Sequence, residues 1–151
     1  MDKKYFICDF ARSNSGKTST LNLFVNKLKL FPQVTHTDSN ALYNGDVWEL
    51  FEYDGKKICV VTSGDNSEDM KEWFEEAFEA KADIVVCASR SKGETIDCVN
   101  EYAQKGGYDV IWFSNFYSNT SKSIIDTLNA CTVDSLLHLI EKLLNIKFLE
   151  K

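Results

Sequence analysis

The chain has 151 residues, 44% of them hydrophobic and 26% charged, the composition of an ordinary globular domain with enough apolar surface for a core. Its formal net charge of −6 and pI near 4.9 disfavour nonspecific nucleic-acid binding, because an acidic surface repels phosphate backbones. No apolar run approaches membrane-spanning length, and Met1-Asp2-Lys3-Lys4 opens no signal-peptide pattern, so a cytoplasmic protein with no membrane partner is expected.

The apolar run Tyr5-Phe6-Ile7-Cys8-Asp9-Phe10 predicts a first strand. Ala11-Arg12-Ser13-Asn14-Ser15-Gly16-Lys17-Thr18 follows as a tight loop and runs directly into a helix from Lys17 to Leu30. That helix carries Leu21, Phe24, Val25 and Leu28 on one face and ends near Pro32, which cannot continue it. Gln33 to Asn44 is polar and reads as a loop with room for one short strand. Val47 to Tyr53 and Lys56 to Thr62 form a hairpin signal around the turn dipeptide Asp54-Gly55. The second arm becomes continuously apolar at Ile58-Cys59-Val60-Val61, as a buried central strand does.

Ser67 can cap the next helix, with Glu68 and Asp69 favourable in its first turn. Met70, Trp73, Phe74, Ala77 and Phe78 recur at helical spacing and read as core. Asp83 to Ala88 is a buried strand. Glu94 to Gln104 is a helix with Ile96, Val99, Tyr102 and Ala103 inward, stopped by Gly106-Gly107. Asp109 to Ser114 is a further strand, and a serine- and asparagine-rich loop extends from Asn115 to about Ala130, helical in part around Ser123 to Asn129. Thr132 or Asp134 can cap the final helix, which buries Leu136, Leu137, Ile140, Leu143 and Leu144.

The alternation of strands and helices, with strands apolar throughout, implies an α/β fold. Its sheet would be mostly parallel, of about five strands, with helices on both faces and one antiparallel hairpin strand at an edge. Strand-to-helix loops would then gather at one end of the sheet, where ligands bind. The five cysteines (Cys8, Cys59, Cys87, Cys98 and Cys131) form no C-x-x-C pair and read as reduced thiols, mostly buried. His36 and His138 are the two histidines, and neither sits in a nucleophile–histidine pattern.

The segment Ala11 to Thr18, between a strand and a helix, resembles the Walker A motif G-x-x-x-x-G-K-[ST] of P-loop nucleoside triphosphate hydrolases, with Ala11 at the first glycine. Physically, backbone N–H groups of such a loop wrap an anion, and the first helical turn adds unpaired donors and a positive dipole end. The resemblance implies one P-loop nucleotide-binding domain over residues 1–151, a three-layer sandwich. It implies a phosphate cradle of Ser13, Asn14, Ser15, Gly16, Lys17, Thr18 and Ser19. Lys17 would reach the β- and γ-phosphates and Thr18 would ligate Mg²⁺.

Three further loops are expected at the rim. After Ile58–Val61, Thr62-Ser63-Gly64-Asp65 offers Asp65 as the Walker B acid for Mg²⁺ and Gly64 as a backbone donor to the γ-phosphate, on the expectation that this strand neighbours the phosphate loop. The same hairpin-then-loop order resembles small GTPases, although the Asp of their D-x-x-G element would fall on Val61. Thr35, Thr37, Asp38 and Asp46 form a second group, which reads more readily as a solvated polar loop. Arg90 and Lys92 could contact phosphate, while Asn115 and the aromatics after it could border a base. The guanine-reading N-K-x-D pattern is absent, Ser114-Asn115-Phe116-Tyr117 standing in its place. ATP is therefore expected over GTP.

The expected activity is an ATPase using Mg-ATP. An ATP-dependent small-molecule kinase with an unidentified second substrate is the alternative within the same chemistry. A noncatalytic nucleotide-binding module with a protein partner is the alternative outside it.

Overall fold

In the computed structural model, residues 3–11, 15–41, 46–63, 67–91 and 93–148 are described. The elements run in chain order β1 (Lys4–Asp9), α1 (Lys17–Leu30), β2 (Thr35–Ala41), β3 (Val47–Tyr53), β4 (Lys56–Val61), α2 (Ser67–Glu79), β5 (Ile84–Ala88), α3 (Glu94–Gly106), β6 (Tyr108–Phe113) and α4 (Ile125–Leu144). They form an α/β fold around one mixed six-stranded sheet of order β2-β3-β4-β5-β1-β6. β1 pairs in parallel with both β5 and β6, and β4 in parallel with β5. β3 runs antiparallel to β2 and to β4.

The strands that look continuously apolar in sequence alternate between two separate cores. Ile7, Ile58, Val60, Ile84 and Val86 pack with Leu21, Phe24 and Leu28 of α1 and with Val133, Leu136 and Ile140 of α4. Phe6, Cys8, Cys59, Val61, Val85 and Cys87 pack on the other face with Met70, Phe74 and Ala77 of α2 and Val99, Tyr102 and Ala103 of α3. A strand buried on both faces needs apolar side chains at every position, which is why the period-two signal vanishes from the sequence. The apolar face of α1 recurs at Leu21, Phe24, Val25 and Leu28, all buried. The hairpin turns as its residues predict, with Asp54 at φ 50° and Gly55 at φ 79°. Two successive positive φ angles match the twist of the flanking strands.

Three expectations need correction. The sheet has six strands, and the antiparallel β3 is second from the edge because β2 covers it. β2 is almost wholly exposed and lacks apolar alternation, so backbone pairing with β3 carries it, interrupted by a bulge between His36 and Asp38. His36 adds a ring stacked on Phe51 at 4.9 Å and an Nε2 atom 3.4 Å from Glu49 Oε2. Second, β4 does not neighbour β1; β5 lies between them. Third, the last helix begins at Ile125, preceded by a 3-10 turn at Lys122–Ile124. Thr132 is therefore no cap. It lies inside α4, where its Oγ1 donates to Leu128 O at 3.2 Å and accepts from Phe116 N at 3.0 Å.

Among the described residues, no helix is long and apolar enough to cross a membrane. Phe24 is fully buried where α1 meets the sheet, whereas Leu30 on the same helix is 75% exposed. Phe24→Ala should cost about 3–5 kcal/mol in a urea titration, and Leu30→Ala should stay within about 0.5 kcal/mol of the parent.

Candidate functional site

Because β1, β4, β5 and β6 all point the same way, the segments that follow them converge at one end of the sheet. The segment after β1 enters α1 through Gly16, which caps the helix in the left-handed region at φ 83°. A Cβ there would stand 3.3 Å from the Tyr117 ring, so glycine meets both a conformational and a spatial demand. Gly16 offers no side chain to cap α1, and the first turn of the helix holds no acid.

Lys17, the first residue of α1, is buried, while Thr18 and Ser19 beside it are exposed. The Lys17 ammonium donates to the carbonyl of Ala11 and, at 2.8 Å, to that of Ser89. It thereby ties the start of the loop to the end of β5. Ser89 supplies only its backbone oxygen here, so no side-chain signal could have pointed to it in the sequence.

Asp9, the last residue of β1, is fully buried beneath the loop. Its Oδ1 accepts from Ala11 N and from Asn115 N, each at 3.3 Å. The Asn115 amide Nδ2 in turn donates to Ser15 O at 2.6 Å. Asn115 therefore grips the far end of the loop backbone. Desolvation pushes the Asp9 carboxyl up to about 6; the two backbone N–H donors and the Lys17 charge only partly oppose it. No motif in the sequence marks Asp9, although an acid closing an otherwise apolar strand is itself a signal.

Across the sheet, Asp46 immediately precedes β3. Its Oδ1 accepts from Thr62 Oγ1 at 2.9 Å and lies 3.5 Å from Thr18 Oγ1. Thr62, at the end of β4, also accepts from Val47 N at 2.9 Å, which holds the Asp46 end of β3 against β4. Asp46, Thr18 and Thr62 are far apart in sequence, and the hairpin brings them together. The oxygens of two hydroxyls and one carboxylate are hard ligands of the kind Mg²⁺ takes alongside retained waters. Among the described residues no group of three or more His, Cys, Asp or Glu side chains is arranged to hold a metal.

The other sequence-derived candidates lie elsewhere or outside the description. Ser13, Asn14, Gly64, Asp65 and Lys92 lie outside the described residues. Asp38 and Thr37 are on exposed β2; Thr37 Oγ1 donates to Leu50 O at 3.2 Å and Asp38 accepts from Ser39 N at 2.8 Å. Arg90 is exposed, with its backbone N–H on Thr95 Oγ1 at 2.9 Å. Tyr117 accepts from Lys122 Nζ at 3.2 Å, beside Gly16. Cys8, Cys59, Cys87 and Cys98 are buried; burial pushes the Cys98 thiol up to about 11 and those of Cys59 and Cys87 well above the usual range. Cys59, Cys87 and Cys98 are thereby held as neutral thiols.

No protein-family model and no curated protein matches the chain. A solved structure described as "Crystal structure of APE1195" is similar over 100% of this chain and 80% of that one, with a TM-score of 0.39 and 10% identity.

The raised Asp9 pKa has a consequence for stability. The native state holds this proton more tightly than the unfolded chain, so the contribution is full below the ordinary carboxylate range and is lost as pH rises through about 6. Asp9→Asn keeps an acceptor for the two amides and removes the buried charge. It should stabilise the protein by about 1–3 kcal/mol at neutral pH and by almost nothing near pH 4, read from urea midpoints at both pH values.

Proposed function

We propose that the chain is a P-loop nucleoside-triphosphate-binding protein with a three-layer P-loop sandwich fold, and that it hydrolyses ATP with Mg²⁺. One observation carries the reading: the buried Lys17 cation stands in the first turn of α1, at the helix's positive end, in a turn whose sequence holds no acid. A cation at the positive end of a helix is unfavourable by itself, and an anion bound there is favoured by the helix dipole. The Ala11 to Thr18 segment, which resembles Walker A, supports a polyphosphate as that anion. The left-handed Gly16 and the Asn115 hydrogen bond to Ser15 O support an entry into α1 that is set before ligand arrives.

Phosphoryl transfer asks a protein for positioning and charge neutralisation more than for covalent chemistry. Lys17 would exchange the carbonyls of Ala11 and Ser89 for β- and γ-phosphate oxygens. Thr18 and Asp46 would hold Mg²⁺, which when bound neutralises charge on those same oxygens. Thr62 orients Asp46 by its 2.9 Å hydrogen bond. Asp46 is a described acid beside Thr18, 3.5 Å from its hydroxyl, while Asp65, the acid expected for Mg²⁺ from the sequence, lies outside the described residues. Tyr117, beside Gly16, and Lys122, hydrogen-bonded to the Tyr117 hydroxyl, would flank the nucleoside, and the absent N-K-x-D pattern favours adenine.

A thermal-shift panel of nucleotides tests the reading. Mg-ATP at a hundredfold over its Kd should add about 2.7 kcal/mol of stability, and Lys17→Ala should abolish the shift. Asp46→Asn should keep the shift by ATP alone and lose the increment that Mg²⁺ adds. If no nucleoside triphosphate moves the wild-type midpoint, with or without Mg²⁺, the proposal fails.

A further inference from the structure

We propose that Asp9 is the positioning residue of the phosphate loop and that it takes up a proton from solvent when a polyphosphate binds. The inference rests on the nucleotide reading above and goes beyond it, because it assigns a proton-linked role to a group that touches neither phosphate nor metal.

The geometry begins with the two ends of the loop. Asp9 Oδ1 holds Ala11 N at the entrance, and Asn115, hydrogen-bonded through its own N–H to the same oxygen, holds Ser15 O at the exit. The two described ends, Ala11 and Ser15, are therefore tied by one carboxylate and one amide, both buried. Each also carries an acceptor without a donor among the described residues, Asp9 Oδ2 and Asn115 Oδ1. Buried acceptors left without donors are costly. A proton on Asp9 Oδ2 converts one of the two into a donor and removes a buried charge in the same step.

The electrostatic surroundings make that proton responsive to ligand. Among the described residues, Lys17 of α1 is the charged side chain acting on Asp9. The neighbours of Asp9 on β5 and after β6 (Ala88, Ser89, Phe113 and Asn115) carry no charge; Arg12 lies outside the described residues. A polyphosphate brings several negative charges to the loop and engages the Lys17 ammonium. Both changes disfavour the Asp9 carboxylate. A carboxyl already pushed up to about 6 needs only a modest further push to hold a proton at neutral pH.

Isothermal titration of Mg-ATP into the full chain, in buffers of different ionisation enthalpy, counts the protons exchanged per nucleotide. The γ-phosphate titrates too, so the informative quantity is the difference between wild type and Asp9→Asn. At about pH 7 the wild type should take up a substantial fraction of a proton more than the variant, and near pH 5 the difference should vanish. Wild-type affinity should tighten several-fold between about pH 8 and pH 6, with a flatter profile for Asp9→Asn. Equal proton counts in both proteins, with binding intact, overturn this inference and leave nucleotide binding standing. Absence of wild-type binding at every pH removes the nucleotide reading and this inference with it. Should Asp9→Asn not fold, the infrared difference spectrum of the wild type decides: a protonated-carboxyl band must grow on adding nucleotide, and its absence overturns the proposal.

Discussion

The seat of β1 between β5 and β6 is the constraint on which the rest of the molecule depends. Pairing in parallel on both sides leaves β1 no free edge and buries its side chains on both faces. Its polar end must then be satisfied locally, since water is excluded. Asp9 O accepts from Ser89 N, and Phe10 N donates to Phe113 O, at 2.9 Å each. The segments after three separate strands are thereby fastened to one another before any side chain of the candidate site is considered. Lys17, Asp9 and Asn115 extend the same fastening from backbone to side chains.

That arrangement explains why a charged pair can exist in so dry a place. Burying a carboxylate or an ammonium singly costs several kcal/mol. Here the Lys17 ammonium has two carbonyls and Asp9 Oδ1 has two amides, so most of the lost hydration is replaced by fixed dipoles. What is not replaced sits on Asp9 Oδ2 and Asn115 Oδ1. Gln33 Oε1 and Glu49 Oε2 are the other buried acceptors without a hydrogen-bond donor among the described residues, so the pairing of two such atoms on residues that share hydrogen bonds, Asp9 and Asn115, sets this corner of the sheet apart.

Much of the fold was legible in the sequence because its physics is local. The runs at Ile58-Cys59-Val60-Val61 and Ile84-Val85-Val86-Cys87 marked central strands, Asp54-Gly55 marked the hairpin, and Gly107 in the left-handed region closes α3 as glycine predicts. β2 was hard to see because its residues Thr35 to Ala41 are polar and exposed; what makes them a strand is the unpaired edge of β3, which no local pattern reveals. The start of α4 was misplaced for a similar reason. Thr132 has the residue type of a cap, yet its hydroxyl serves Phe116 across a tertiary contact.

The site divides along the same line. The sequence by itself determined the strand, the Gly16-Lys17-Thr18 turn and the helix, since each follows from backbone conformational preference and hydrophobic spacing over neighbouring residues. Only the tertiary structure decided that Lys17 rests on Ser89, that Asn115 grips Ser15, and that Asp46 reaches Thr18 by way of Thr62. Strand order sets those meetings, and strand order is a global choice among ways of burying the same apolar residues. Asp9 shows the difference most plainly: its place at the end of β1 is written in the chain, but its burial and its unanswered oxygen exist only once β5 and β6 close around it.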